Sequence, residues 1–199
     1  MSRNIDLSAL EGFSREELLD YIGSVLWQFR LVDAFWFLRA EERYGLPDAE
    51  RLNEEVWAII GKLAARDIKA RFGASHGIDD GGLEGFARAF ALFPWAPLAG
   101  HELKPMDDGS LELTMAECPP HAARRKHCKT PYACKHMHVG EFAAFTQEID
   151  PRIRVECLFA PPDPPEAKPE GYEHLECAWR FYLDEDADTA TAAEAGASE

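Results

Sequence analysis

The chain has 199 residues, 46% of them hydrophobic and 29% charged, with a formal net charge of −15. That is chain enough for one globular domain with a real core. The negative balance argues against nucleic acid or an anionic membrane surface as partner, and no stretch reaches the roughly 20 apolar residues of a membrane span.

The first element opens on Ser14-x-x-Glu17, a capping box. Leu18, Ile22, Val25, Leu26, Phe29, Val32 and Trp36 then recur at helical spacing, and Gly45 and Pro47 end the run. Its length predicts one long helix, or two with a kink near Asp33. Asp48 reads as the N-cap of a second helix, with Leu52, Val56, Ile59, Ile60, Leu63 and Ile68 as its apolar stripe and Gly73 as its stop. A third, shorter helix over "GGLEGFARAFALFPW" closes at Pro94.

The period then changes. "LAGHELKP" and "SLELTMAEC" flank the turn signal "MDDG", and Leu111, Leu113 and Met115 alternate with polar or small residues as in a half-buried strand. "PPHAARRKHCKTPYAC" reads as irregular or a short helix. "CKHMHVGEFAAFTQEID" reads as a helix with Met137, Phe142 and Phe145 inward. Ile153, Val155, Cys157 and Phe159 share one side of a third strand. A proline-rich loop follows. Leu175, Cys177, Trp179, Phe181 and Leu183 point inward from a fourth strand. Residues 184–199 hold six acidic residues and no Lys or Arg, and read as a disordered tail after a single domain over 1–183. Helices segregated from strands define an α+β class: N-terminal helices plus a four-stranded antiparallel sheet with helices packed on it.

The chemistry concentrates between Cys118 and Phe142, with three of the five cysteines and four of the seven histidines. No secretory signal pattern opens the chain, so it reads as cytoplasmic, where cysteines are more often reduced, metal-bound or catalytic than disulfide-paired. No C-x2-C pair occurs, which excludes zinc-ribbon, ferredoxin and thioredoxin motifs. Placement still makes Cys118, Cys134, Cys157 and Cys177 candidate metal ligands: the first closes a strand, the second opens a helix, and the others lie on the inward face of two strands. Thiolates suit zinc or an iron–sulfur cluster; against this, free cysteine commonly packs as a small hydrophobe. Cys128, in a charged loop, reads as an exposed thiol. A rival reading makes Cys134 a catalytic thiolate, its pKa lowered by the helix N-terminus.

His136 and His138 are two apart and face apart on a helix; with His127 they read mostly as surface residues. Arg124 and Arg125, with Lys126, form either a solvated face or a seat for a substrate carboxylate or phosphate. Asp33, Phe37 and Glu41 share a helix face. A carboxylate inside "FRLVDAFWFL" is costly unless partnered: either a salt bridge to Arg30 or Arg66, or a ligand or general base aimed at the sheet. Asp33 and Glu41 are therefore candidate catalytic residues beside Cys134.

"DAFWFLRAEERYGLPDAERLNEEVW", "CPPHAARRKHC", "ACKHMHVGEFAAFTQEIDPRIRVECLFAPPD" and "ECAWRFYL" resemble an uncharacterised bacterial family related to the L-2-amino-thiazoline-4-carboxylate hydrolases. The shared frame is Cys118, Cys134 and Cys177 with Trp179 and Phe181; where those hydrolases tend to have Cys-x-x-Asp, this chain has Cys134-Lys135-His136-Met137. A more distant similarity is to 4-vinyl reductase domains of the trafficking-particle type of fold. In phenol-sensing relatives, cysteines and a Glu bind zinc, and Cys134, Glu156, Cys157 and Cys177 fall in comparable order here. The resemblance implies a metal-binding, hydrolase-like enzyme acting on a small carboxylate-bearing substrate. Two alternatives stand beside it: a zinc-stapled, non-catalytic ligand-binding or sensor domain, and an iron–sulfur redox protein. It also implies a small-molecule ligand and pairing as a homodimer.

Overall fold

The structure is a computed structural model and describes residues 5–184. Arg15–Tyr44 (α1) is one unbroken helix, with no break at Asp33. Its capping box is formed: Ser14 N–H donates to Glu17 Oε2 at 2.7 Å and Glu17 N–H to Ser14 Oγ at 3.2 Å. Gly45, at φ +86°, reverses the chain in a single residue, a conformation that glycine adopts without steric cost. Leu46–Phe72 (α2) follows at once with Pro47 in its first turn, where a missing N–H costs nothing. Asp48 is thus not the N-cap; it lies inside the helix and pairs with exposed Arg51 at 3.4 Å.

The buried stripe of α2 matches the predicted one only at Ile68, with Ile60 packed against the core. Ala49, Asn53, Trp57, Gly61, Ala65 and Ile68 face inward, whereas Ile59 is 60% exposed and Leu63 53%. The reason lies in the partner. Lys135–Ile149 (α6) packs against α2, and a Cβ added at Gly61 would sit 2.6 Å from the Glu141 carbonyl oxygen. Backbones this close accept only small residues at the seam. The bulky stripe is turned away.

Gly82–Ala91 (α3) and the single turn Ala96–Ala99 (α4) lead into Glu102–Pro105 (β1) and Leu111–Met115 (β2). Pro119–Lys126 (α5) is a helix, opened by two prolines in its first turn. After α6 come Ile153–Phe159 (β3) and Cys177–Leu183 (β4). The sheet is antiparallel in the order β1-β2-β4-β3. Its inward row joins Leu113 to Trp179, Met115 to Cys177 and Cys157 to Trp179 by register. The fold is α+β, as the segregation of periods indicates.

α3 and α6 cover this face. Phe86, Phe90, Phe93, Phe142, Phe145, Trp179 and Phe181 form one aromatic core, with Phe86 and Phe181 ring centroids 4.5 Å apart. A register shift between Cys157 and Phe159 breaks the strand alternation. A bulge adds one residue and so swaps faces. Phe159 consequently leaves the main core and packs with Ala178, Tyr172 and Leu175, which precedes β4, in a separate cluster. Leu183, predicted inward, is exposed. No helix among the described residues is long and apolar enough to cross a membrane. The proposed tail falls outside the described residues apart from Asp184.

Candidate functional site

Between α1, α2, α6 and the sheet lies a cavity walled by Trp57, Phe90, Phe93, Leu113, Met115 and Phe142. A second space adjoins it, sharing Asp33, Asn53, Trp95, Pro119, Pro120 and Tyr132. The inner chamber is apolar and aromatic; its polar groups include Asp33, Asn53, Glu141, His138, His101 and Cys118. The outer space carries Arg30, Arg124, His127 and Lys129. Carboxylates line the first space and Arg and Lys the second, with Asp33 shared by both.

Asp33 reaches this cavity because it shares the inner face of α1 with buried Phe37 and Ala40. Neither predicted salt bridge forms. Arg66 pairs with Glu148 at 2.7 Å, and the Arg30 guanidinium lies over Trp27. Burial pushes the Asp33 carboxyl up to about 6, the Glu141 charge adds to the rise, and a hydrogen bond from the Trp57 indole opposes it. Glu141 is only 3% exposed. Its Oε2 lies 2.8 Å from His138 Nδ1. The His138 ring stacks on Phe142, centroids 5.1 Å apart. Burial lowers the pKa of His101, which packs against Phe90.

Glu41, expected as a catalytic acid or base, is committed elsewhere. Arg124 Nη1 and Nη2 donate to its two oxygens at 2.8 and 3.1 Å, Lys129 Nζ approaches at 3.4 Å, and the Arg124 bond leads in holding its carboxyl below the usual range. The same contact corrects the reading of Arg124 as a substrate clamp. Arg124 is 6% exposed, its Nε donates to the Thr130 carbonyl, and its guanidinium lies between Phe37 and Tyr132, 5.7 Å from each ring. It fastens α5 to α1. Arg125 pairs with Glu176 at 2.6 Å. Arg124 is therefore not a free seat for an anion, whereas Arg125 is half exposed.

All four candidate thiols belong to the main core. Cys134 and Cys177 are buried within it, and Cys118 and Cys157 pack against it. Cys177 and Cys157 lie on the same sheet face, as alternation predicts. Yet no group of three or more His, Cys, Asp or Glu among the described residues is placed to hold a metal ion. Burial pushes the Cys118 and Cys157 thiols up to about 11 and Cys177 to about 12. It also drives Cys134 well above its ordinary value, with the neighbouring Cys177 and Cys118 adding to the rise. The helix N-terminus at Cys134 does not offset burial, so a low-pKa nucleophile is not what this position favours. As arranged, the residues do not fit zinc or an iron–sulfur cluster. Cys134 and Cys157 do not line the cavity; Cys118 does. Cys128 is exposed, as expected.

Glu141 and His138 are the site residues that sequence reasoning missed. The signal was present: Glu141 stands beside Phe142 on the inner face of its helix, and His138 precedes it by three, a spacing that makes helical neighbours. His136 is exposed.

An α+β domain with an apolar cavity that carries Asp33 and Glu141 is the class these observations define. The chain belongs to DUF6125, a family of unknown function, whose model matches residues 11–183. No curated protein sequence matches it. A crystal structure of a trafficking protein particle complex subunit 3 from Naegleria fowleri, covalently bound to palmitic acid, is similar at 14% identity. It covers 85% of this chain and 95% of that one, with a TM-score of 0.42. That overlap is too low to carry the fold, which rests on the sheet order and helices above. None of these comparisons supports a relation to the thiazoline hydrolases or the 4-vinyl reductase domains.

Proposed function

We propose that this chain is a binding domain for a small, largely apolar molecule with a cationic or hydrogen-bond-donating end. The carrying observation is the pair of carboxylates, Asp33 and Glu141, facing one aromatic chamber. Apolar pockets with a few convergent polar groups are the usual architecture of ligand sites. Glu141 is held by His138, whereas Asp33 has no ion-pair partner among the described residues, a costly state for a carboxylate in such surroundings, and a ligand nitrogen bearing N–H supplies one. The flat rings of Trp57, Phe93 and Phe142 favour a planar ligand body. Basic Arg30 and Lys129 toward the outer space suit a ligand whose far end is a carboxylate.

Calorimetric titration with an aromatic amine, an aromatic amino acid and the matching neutral hydrocarbon tests this. The amine and amino acid should bind, and Asp33→Asn should weaken both while leaving the hydrocarbon unchanged. Filling the chamber with Ala99→Trp should abolish all binding. Binding that ignores both substitutions rules the reading out.

A second reading has one observation in its favour. An Asp33 carboxyl near 6 is poised as a general base close to neutral pH. In that reading Asp33 would take a proton from water or substrate, as a hydrolase requires, with no metal and no thiolate involved. Turnover lost in Asp33→Asn with binding of the neutral part of the substrate retained would distinguish an enzyme from a carrier or sensor.

A further inference from the structure

Six residues line both spaces and stand between them: Asp33, Asn53 and Tyr132, with the rings of Trp95, Pro119 and Pro120. Asn53 is the one polar side chain on the buried stripe of α2, among Ala49, Trp57, Gly61, Ala65 and Ile68. It is 5% exposed, and among the described residues its side-chain amide makes no hydrogen bond. A buried amide without partners is costly. Such a group is satisfied from the cavity it lines.

Asp33 reaches the same boundary from α1. Asn53 precedes Trp57 by one helical turn, and the Trp57 indole donates to the Asp33 carboxyl. Trp57 thus holds the carboxylate in the neighbourhood of the Asn53 amide. An ionised carboxylate only accepts, and the indole occupies one of its several accepting sites, whereas an Asn side chain both donates and accepts. A ligand ammonium has no acceptor. It would satisfy Asp33 and leave the Asn53 N–H groups unpaired.

Resting on the ligand-binding reading above, we infer that the group read at this boundary is a secondary amide, and that the ligand is an amino acid N-acylated with an aromatic acid. A trans secondary amide presents its N–H and C=O on opposite edges, the first for Asp33 and the second for the Asn53 amide N–H. The aromatic acyl part lies among Trp57, Phe93 and Phe142 in the inner chamber. The carboxylate lies toward Arg30 and Lys129 in the outer space. Between them the amide is neutral, so no charge is set against the rings of Trp95, Pro119 and Pro120, where it would be costly.

Calorimetric titration of the full chain with N-benzoylglycine and with N-benzylglycine, in which a methylene replaces the carbonyl, tests this. Both should bind. Asn53→Leu should weaken N-benzoylglycine by about 10-fold or more and leave N-benzylglycine within roughly 2-fold, as loss of one hydrogen bond to a buried group does. Should Asn53→Leu fail to fold, nuclear magnetic resonance replaces it. The chain has two asparagines, Asn4 and Asn53, so Asn4→Ser grown with isotopically labelled asparagine shows one side-chain NH2 pair. N-benzoylglycine should shift that pair and N-benzylglycine should leave it in place. N-benzoylglycine that fails to bind, that binds regardless of Asn53, or that leaves the Asn53 resonances unmoved overturns the amide. If N-benzylglycine then still binds through Asp33, the ligand-binding reading survives that loss; if neither probe binds, both fall.

Discussion

The Gly61 backbone lies so near Glu141 that a methyl group built on it would stand 2.6 Å from the Glu141 carbonyl oxygen. That contact sets the α2–α6 separation and, through it, the depth at which Glu141 and His138 sit in the cavity. Gly61→Ala removes the space without adding any compensating contact, and the atom it meets is backbone, which yields little. The expected cost is about 1–3 kcal/mol, read from urea unfolding, with weakened ligand binding because Glu141 moves. An unchanged midpoint would mean that the helices separate freely.

Asp33 should reveal itself by pH. Its folded pKa, near 6, lies above the ordinary unfolded value, so the folded state binds the extra proton between the two. Whatever stability this gives is full below the unfolded pKa, about 3.9, and is lost as pH rises through about 6. Asp33→Asn should therefore stabilise the protein at neutral pH, by on the order of 1–2 kcal/mol, and do little in acid. Melting temperatures of both forms across that range test it. A cationic ligand should show the converse trend, binding more weakly as pH falls through 6 because the carboxylate it needs is protonated.

If Arg124 is a fastener and not a substrate clamp, its loss is a matter of stability. Arg124→Ala strands Glu41 in a half-buried place. A cost of about 3 kcal/mol is expected, and the double variant Glu41→Met, Arg124→Leu should recover much of it, because two apolar groups need no partners. Chemical denaturation of the three variants provides the cycle. Ligand affinity that falls in Arg124→Ala without any loss of stability would contradict the assignment.

His121 is buried, stacked on Tyr132 at 4.8 Å, and its Nε2 has no hydrogen-bond partner. Burial leads in lowering its pKa. The unfolded chain then binds a proton that the folded chain refuses, so stability drops as pH falls through the ordinary value near 6.5. His121→Phe keeps the stacking and removes the orphaned nitrogen. It should gain roughly 1 kcal/mol and flatten the acid side of the stability profile.

The thiols can be ranked by alkylation. Cys128 is exposed, whereas Cys134 and Cys177 are buried with raised pKa values. Iodoacetamide at neutral pH should label Cys128 first, with Cys134 and Cys177 protected until the chain unfolds. Rapid labelling of Cys134 in the native protein would restore it as a candidate nucleophile.

Much of the local structure was legible along the chain. Ser14 and Glu17 form their capping box, the β1–β2 hairpin closes at its Asp-Gly turn, and Asp33 stands out as a carboxylate in an apolar run. These depend on contacts within a few residues, and spacing encodes such contacts. The cavity partners of Asp33 were harder. Glu141 is an ordinary polar residue on its helix until α1 and α2 pack beside it.

What the sequence determined by itself was the type and order of the elements, because the periods of two and 3.6 are properties of the backbone. It also placed Cys157 and Cys177 on one sheet face. Only the tertiary structure decided which stripe of α2 is buried: Ile59 and Leu63 carry the larger hydrophobic surface, but the close approach of α6 admits Gly61 and Ala65 instead. It likewise decided that Arg124 serves Glu41, since a charge takes the nearest partner that burial leaves it, and no pattern along the chain measures that distance.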